Sequence, residues 1–281
     1  MRVQLSSLAL LAAGAIVRLS GQSAVSAGIT TGTARFNSAR SEQAVTAIVQ
    51  VRPRSWLSLS AIPSVVHVSD SVAGQAVSHS GLGDLPLVIA ADHPFTGFWS
   101  PVVGAALVAT VPVGNASCGL GSGEMGFGLD GGIGVAPGLR WRLSASASRS
   151  LGGLGAQSSL SAPHATALRV ESGYDVTDRW TADLSLGADV GSSDSSQALS
   201  RVVGAGASYR IGSVLTLTVD ATHGLTTTSP QWVFSVGLGT AFVGTSPVSP
   251  TSSLRRLKTG FVGGVSRGGG RSTGRTVAGG C

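Results

Sequence analysis

The sequence predicts an all-β protein, an antiparallel up-and-down transmembrane β-barrel of about 12 strands. Three observations predict this fold class. Apolar and polar residues alternate with a period of two along most of the chain, the connections alternate between tight and long, and large aromatic residues recur at one end of the alternating segments. A period of two places successive side chains on opposite faces of a strand, so each strand meets two unlike environments.

The alternation is clearest in residues 179–191. Leu184 and Leu186 share the even positions with other apolar or small residues, while Arg179 and Asp183 share the odd positions with other polar or small ones. The same pattern marks eleven further segments. The twelve predicted strands are 29–37, 43–52, 55–63, 82–92, 98–111, 120–135, 139–150, 165–176, 179–191, 198–211, 213–224 and 231–243.

The connections favour a membrane barrel over a soluble β-sandwich, which also alternates along its strands. Tight turns at 53–54, 136–138, 177–178 and 212 separate longer segments rich in Gly and Ser at 63–81, 112–119, 151–164, 192–197 and 225–230. Transmembrane barrels show this asymmetry, with short periplasmic turns and longer external loops. Strand counts from ten to fourteen remain open.

The aromatic residues predict a belt at the periplasmic rim. Large rings open the outward-running strands or close the returning ones, and they share the apolar parity of their strand. Such amphipathic rings sit at the headgroup level of a bilayer. The predicted girdle is Trp99, Trp141, Tyr174, Trp180, Tyr209 and Phe242.

The two ends of the chain differ from its body. Residues 1–27 carry Arg2, an apolar run at 8–17 and Val-Ser-Ala before Gly28, which predicts a cleaved signal peptide; a buried N-terminal helix is the alternative. Residues 28–244 form the predicted barrel. Residues 245–281 are basic, rich in Ser and Gly and free of acids, which predicts a disordered tail. That tail is either a non-folding extension or a basic arm for anionic polymers or lipid.

The net charge of +6 does not indicate a nucleic-acid partner. Two of the 19 bases lie in residues 1–27 and six lie after residue 244, which leaves eleven for the barrel against all 13 acids. The body of the protein therefore lacks the basic face that nucleic acid requires.

Neither metal, cofactor nor enzymatic chemistry is predicted. The histidines His67, His79, His93, His164 and His223 are scattered, and no set of nucleophile, base and orienting group emerges. The only two cysteines have no metal-ligand spacing.

The predicted topology keeps the two cysteines apart. Cys118 lies in a predicted external loop and Cys281 at the periplasmic terminus. A hydrocarbon layer of about 30 Å would separate them, against a Cα separation of about 7 Å at most for a disulfide. We expect no bond between them.

The polar parity of the strands predicts the wall of the lumen. Charges of opposite sign fall on neighbouring strands, where they can pair across the wall. They form either a salt-bridge network that plugs a narrow barrel or a constriction that selects solutes by charge and size. The predicted lumen-lining residues are Arg140, Arg142, Arg169, Glu171, Asp175, Arg179, Asp183, Asp189, Arg210 and Asp220.

Two short motifs resemble a family of bacterial outer-membrane barrels, described as transporter-like and associated with the meta-pathway of phenol degradation. Gly81-Leu-Gly83-Asp84 precedes an apolar run, and Val-Pro112-Val-Gly114 closes a long strand. The likeness covers roughly residues 80–243. From the residues alone, Asp84 is most simply a turn residue that bonds nearby backbone, with glycine supplying positive φ.

The resemblance implies an outer-membrane channel or transporter-like barrel for passive passage of small solutes, hydrophobic or aromatic ones included. The alternative is a non-conducting structural or anchoring barrel with a plugged lumen. The lipid bilayer of the outer membrane is the expected partner, and the chain is expected to reach it by a cleaved signal peptide. The solute and the oligomeric state stay open.

Overall fold

The computed structural model describes residues 24–36, 40–72, 75–154, 166–190, 200–227 and 229–242. Across these ranges the chain forms fourteen strands and one 3₁₀ turn, Ala116–Cys118. The strands are β1 Ala24–Arg35, β2 Ser41–Arg54, β3 Leu57–Ala61, β4 Ser64–Val72, β5 Gln75–Leu82, β6 Leu85–Pro94, β7 Val102–Val111, β8 Met125–Val135, β9 Trp141–Leu154, β10 Thr166–Asp175, β11 Trp180–Val190, β12 Arg201–Ile211, β13 Leu215–Gly224 and β14 Trp232–Gly239.

These strands close into a ring with twelve positions. β1 pairs antiparallel with β14 on one side and with β2 on the other, and the strands from β6 to β14 pair in chain order. β3 and β4 both pair with β2, so together they occupy one position of the ring. β6 pairs with β3 and β5 pairs with β4, so together these two strands occupy the next position. The predicted antiparallel up-and-down barrel of about 12 strands is confirmed.

A search of the described residues for helices finds none whose length and apolar character would let it cross a membrane.

The prediction of a long loop at residues 63–81 is wrong, because that segment forms most of the β4–β5 hairpin. Valine lies on both faces of β4, where Val65 is 53% exposed and Val66 is buried, so apolar and polar residues do not separate by parity there. Pro63 interrupts the position shared by β3 and β4, since proline has no N–H for the ladder. Its carbonyl still accepts a hydrogen bond from the N–H of Ala47, at 2.9 Å, so the wall stays continuous.

The first strand begins upstream of the predicted barrel boundary at residue 28. β1 starts at Ala24, and its first four residues pair with residues 49–52 of β2. A cut before Gly28 would remove that part of the wall. Residues 1–23 and 243–281 lie outside the described residues, and the predicted signal peptide and basic tail fall largely on them.

The outer surface of the barrel is apolar. On β11 the even positions point outward, where Leu184 is 64% exposed and Leu186 58%, and the odd positions point inward. The neighbouring strand repeats the pattern, with Val170 outward and 53% exposed. β11 is therefore apolar on its outer face and polar on its inner face, the reverse of a soluble protein.

Segments outside the strands enter the interior at both ends. We call the end that holds the connections 55–56, 95–101, 136–140, 176–179 and 212–214 the turn end, and the opposite one the loop end. At the turn end the chain leaves β14 and folds back, so that the N–H groups of Thr240 and Ala241 both donate to the carbonyl of Ala27, at 2.8 and 3.2 Å.

The prediction that Phe242 belongs to the outer aromatic girdle is wrong. Its ring lies inside the barrel, above the inward-facing positions Gly28 and Gly237. It packs against an interior apolar cluster that includes Ile48 and Val88. The strand parity that predicted an outward ring ends with β14 at Gly239, three residues before Phe242.

Replacement of Gly28 by alanine should therefore destabilise the barrel. The added carbon would lie 2.7 Å from Cε2 of Phe242, and such overpacking costs about 1–3 kcal/mol of unfolding free energy. Urea unfolding of the full chain in detergent measures the loss. In a Phe242→Ala background the loss should largely vanish, and Gly131→Ala, which meets no atom within 4 Å, is the control. Equal losses in both backgrounds would contradict this packing.

Candidate functional site

Among the described residues, one side of the barrel interior is more accessible than the rest. The inward-facing residues of β2, β13 and β14 are buried, whereas those of β8 to β11 are mostly half-buried. We call this second set of inward-facing residues the accessible wall. Glycine dominates it on β8 and serine on β9, and these small side chains leave room in the lumen. Its uncharged members include Gly126, Gly128, Gly132, Gly134, Ser144, Ser146 and Ser148.

A charged group crosses three strands of the accessible wall near the turn end. Nη2 of Arg142 donates to Oδ1 of Asp175 at 2.6 Å. The hydroxyl of Thr181 donates to the same oxygen at 2.7 Å and accepts from Arg142 at 3.2 Å. Gly173 faces this group, and a side-chain carbon there would lie 2.9 Å from Oδ1 of Asp183. The charges therefore sit close together because β10 has no side chain at that point.

Further charges line the wall towards the loop end. Arg169 and Glu171, two residues apart on β10, form an ion pair whose side chains are 11% and 25% exposed. Asp189 occupies an inward position near the loop end of β11, and both it and Asp183, which lies closer to the turn end, are half-buried. Six of the predicted lumen residues thus lie on the accessible wall, namely Arg142, Arg169, Glu171, Asp175, Asp183 and Asp189.

The other four predicted lumen residues lie elsewhere. Arg140 and Arg179 are exposed in connections of the turn end. The carbonyl of Arg140 accepts a hydrogen bond from the N–H of Asp175, and that of Arg179 accepts one from the N–H of Arg210, both at 2.8 Å. Arg210 has the inward parity of β12 but is exposed at the rim. Asp220 is 5% exposed on β13, away from the accessible wall, and accepts from Ser235 at 3.5 Å.

Aromatic rings pair on the outer surface at the turn end. Trp141 lies beside Tyr174, with ring centroids 4.8 Å apart, and Trp180 lies beside Tyr209 at 4.7 Å. Both pairs are direct cross-strand neighbours. Trp99 lies in the β6–β7 connection with φ of 72°, next to Phe98.

A second aromatic group at the loop end was missed by the sequence analysis. The ring of Trp232 lies between those of His223 and Phe234, with centroids 4.3 and 5.7 Å away. The alternation of β13 and β14 places all three residues outward, but only the register between the two strands brings His223 opposite Trp232.

The two short motifs meet in the structure. Oδ1 of Asp84 accepts the N–H of Gly114 at 3.1 Å, although 30 residues separate them. The interpretation of Asp84 as a turn residue that bonds nearby backbone is therefore wrong. Gly81 and Gly83 are absent from the positive-φ residues of the described ranges. Instead, each of these glycines lies close to a neighbouring segment. A side-chain carbon on Gly81 would lie 2.8 Å from Cδ1 of Leu120, and one on Gly83 would lie 2.5 Å from Oγ of Ser64.

The segment after the second motif folds into the mouth of the barrel. Residues 112–124 connect β7 to β8, and their side chains Cys118 and Leu120 are 7% and 4% exposed. They pack in one apolar cluster with inward residues of distant strands, Val66 on β4 and Val233 on β14. The connection predicted to be an external loop thus lies across the loop end of the lumen.

The structure also changes the account of the cysteines. Cys118 takes part in a disulfide bond, which contradicts the separation of the two cysteines expected from the topology. That expectation placed Cys118 outside the barrel, whereas the residue lies within its mouth. Cys281 is outside the described residues.

Known proteins resemble this chain in fold. An outer-membrane channel from Pseudomonas putida F1 superposes with a TM-score of 0.60 and 15% identity, over 80% of this chain and 97% of that one. The KdgM porin gives a TM-score of 0.50 and 10% identity, over 76% of this chain and 97% of that one. No family model and no curated protein sequence matches the chain. Similarity at this level concerns the fold, and the family resemblance of the motifs stays a prediction.

The Arg142–Asp175 pair should contribute little to stability. Its side chains are 39% and 32% exposed, and partly solvated pairs couple by about 0.2–1 kcal/mol. A double-mutant cycle with Arg142→Ala and Asp175→Ala, read by urea unfolding, measures the coupling. Arg210→Ala replaces Arg142→Ala in the control cycle and should give no measurable coupling with Asp175. A value well above the stated range for Arg142 would show a structural role for the pair.

Proposed function

We propose that this protein is an outer-membrane channel that passes small hydrated solutes along the accessible wall. The observation that carries the proposal is the division of the interior. One side of a closed barrel is packed, while β8 to β11 present half-buried glycine, serine and charged residues. A half-buried polar wall provides the hydrogen-bond partners that a hydrated solute needs in transit.

The outer surface supports a membrane location. Large apolar side chains such as Leu184, Leu186 and Val170 are exposed around the barrel, and water would make such a surface prone to association. Such a surface is compatible with the hydrocarbon core of a bilayer. A closed ring of strands leaves few backbone groups unpaired in that core. The paired rings at the turn end fit an interfacial belt on the periplasmic side.

Charge sets the proposed selectivity. The charged residues of the accessible wall comprise two arginines, Arg142 and Arg169, and five carboxylates, Asp130, Glu171, Asp175, Asp183 and Asp189. Arg142 is already engaged by Asp175, and Arg169 by Glu171. Carboxylates outnumber arginines on this wall, which gives it a negative balance. We therefore expect the channel to prefer cations mildly. No described residue of the wall is aromatic.

A non-conducting barrel is the second candidate function. Residues 112–124 cross the loop end, and Phe242 packs inside the turn end. These two interior segments favour a plugged lumen that anchors or stiffens the envelope. The second candidate also accommodates the apolar outer surface, so conduction decides between the two.

Planar bilayers with purified full-length protein provide the test. We expect discrete current steps and a reversal potential that shows mild cation selectivity. Replacement of Asp183 and Asp189 by asparagine should lower the cation-to-anion permeability ratio, because it removes two charges from the wall. Asp178→Asn, in an exposed connection of the turn end, is the control. Absence of both conductance and solute flux would remove the channel function in favour of the plugged barrel.

Membrane insertion makes a separate prediction. Leu184 on β11 and Val176 in the β10–β11 connection are both largely exposed, at 64% and 49%. In a soluble barrel, arginine would be tolerated at either position. In a bilayer, Leu184→Arg should cost about 2–4 kcal/mol of folding free energy near the midplane, and Val176→Arg at the rim about 0–1 kcal/mol. Equilibrium folding into lipid vesicles measures both, and equal costs would contradict insertion.

A further inference from the structure

The connection of residues 112–124 is a folded unit. Asn115 precedes the 3₁₀ turn Ala116–Cys118, and its side chain accepts the N–H of Ser117 at 3.0 Å. The carbonyl of Asn115 accepts the N–H of Leu120, also at 3.0 Å. Gly119 ends the turn in the left-handed conformation, with φ of 69°, which glycine adopts without a steric cost. These bonds hold the tip in one shape, but they do not attach it to the barrel.

The neck of this connection is closed by the two glycines at its base. A side-chain carbon on Gly114 would lie 2.5 Å from the carbonyl oxygen of Leu120. One on Gly121 would lie 2.9 Å from Cα of Gly114. The outgoing and returning chains can approach this closely only because neither residue has a side chain.

One carboxylate ties the neck to the wall. Asp84, between β5 and β6, accepts the N–H of Gly114 on Oδ1 at 3.1 Å. Its other oxygen accepts both the N–H and the hydroxyl of Ser122, at 2.6 and 2.7 Å. Hydrogen bonds to an ionised carboxylate are about twice as strong as neutral ones. A single side chain therefore binds both sides of the neck.

The attached connection reaches across the lumen. Leu120 and Cys118 pack with residues from β4 around the ring to β14. The side chain of Leu120 also passes over Gly81, where a side-chain carbon would lie 2.8 Å from its Cδ1. Gly81 and Asp84 of the first motif thus serve the same segment, since one makes room for its tip and the other holds its neck.

We propose that Asp84 is a positioning residue that latches residues 112–124 across the loop end, so that this segment sets the size limit of the lumen. The inference deepens the proposed channel function and rests on it for the permeation readout. The role of Asp84 in it is indirect, because the carboxylate holds the segment whose side chains narrow the passage.

The latch is tested with full-length protein by two readouts. In Asp84→Ala the amides of Gly114 and Ser122 should exchange with deuterium at least about tenfold faster, because they lose bonds to a charged acceptor. Single-channel conductance should rise about twofold or more, since a constriction at one end limits current. Asp178→Ala is the matched control, an acid in an exposed connection of the turn end. It should change neither readout.

A milder variant keeps the test valid if Asp84→Ala folds poorly. Ser122→Ala removes the hydroxyl contacts to Asp84 and Glu124 but keeps the N–H bond of residue 122 to Asp84, so exchange of that amide should accelerate less than in Asp84→Ala. Wild-type exchange rates in both variants would overturn the latch, as would faster exchange with unchanged conductance of a conducting wild type. A wild type that conducts nothing, together with faster exchange and a new current in Asp84→Ala, would overturn the open channel and support the latch.

Discussion

Closure of the backbone hydrogen-bond ring is the constraint on which the rest of this structure depends. β1 pairs with both β2 and β14, so the sheet has no open seam along its main wall. An unpaired peptide group in hydrocarbon costs several kcal/mol. A chain with an apolar outer surface can therefore remain in a bilayer only as a closed ring.

Closure also decides how the interior is used. Because one parity of every strand is turned outward, the interior receives the polar and small residues, with few large side chains to fill it. The described apolar clusters occur where segments outside the strands enter, Leu120 from the loop end and Phe242 from the turn end. Packing at these two places leaves β8 to β11 as the accessible side, where the charged residues of the proposed channel lie.

The motif residues show how a short sequence signal acquires its meaning. Gly81 and Asp84 lie 30 to 40 residues before the segment that they serve. Gly81 leaves room for the side chain of Leu120, and the carboxylate of Asp84 accepts three hydrogen bonds. Neither role involves a ligand, so a search for ligand-binding or turn residues alone would misread both positions.

The sequence by itself determined the strand period, the apolar outer face and the approximate number of strands, because alternation is a local property that each strand carries alone. It also placed six charged residues on the inner wall through parity. Only the tertiary structure decided that residues 63–81 are mostly strand, that Phe242 turns inward and that residues 112–124 fold into the mouth. These outcomes depend on pairing between strands. The register of β6 and β7 brings Asp84 to Gly114, and the β1–β14 closure brings Phe242 to Gly28. Local periodicity contains no information on such distant contacts.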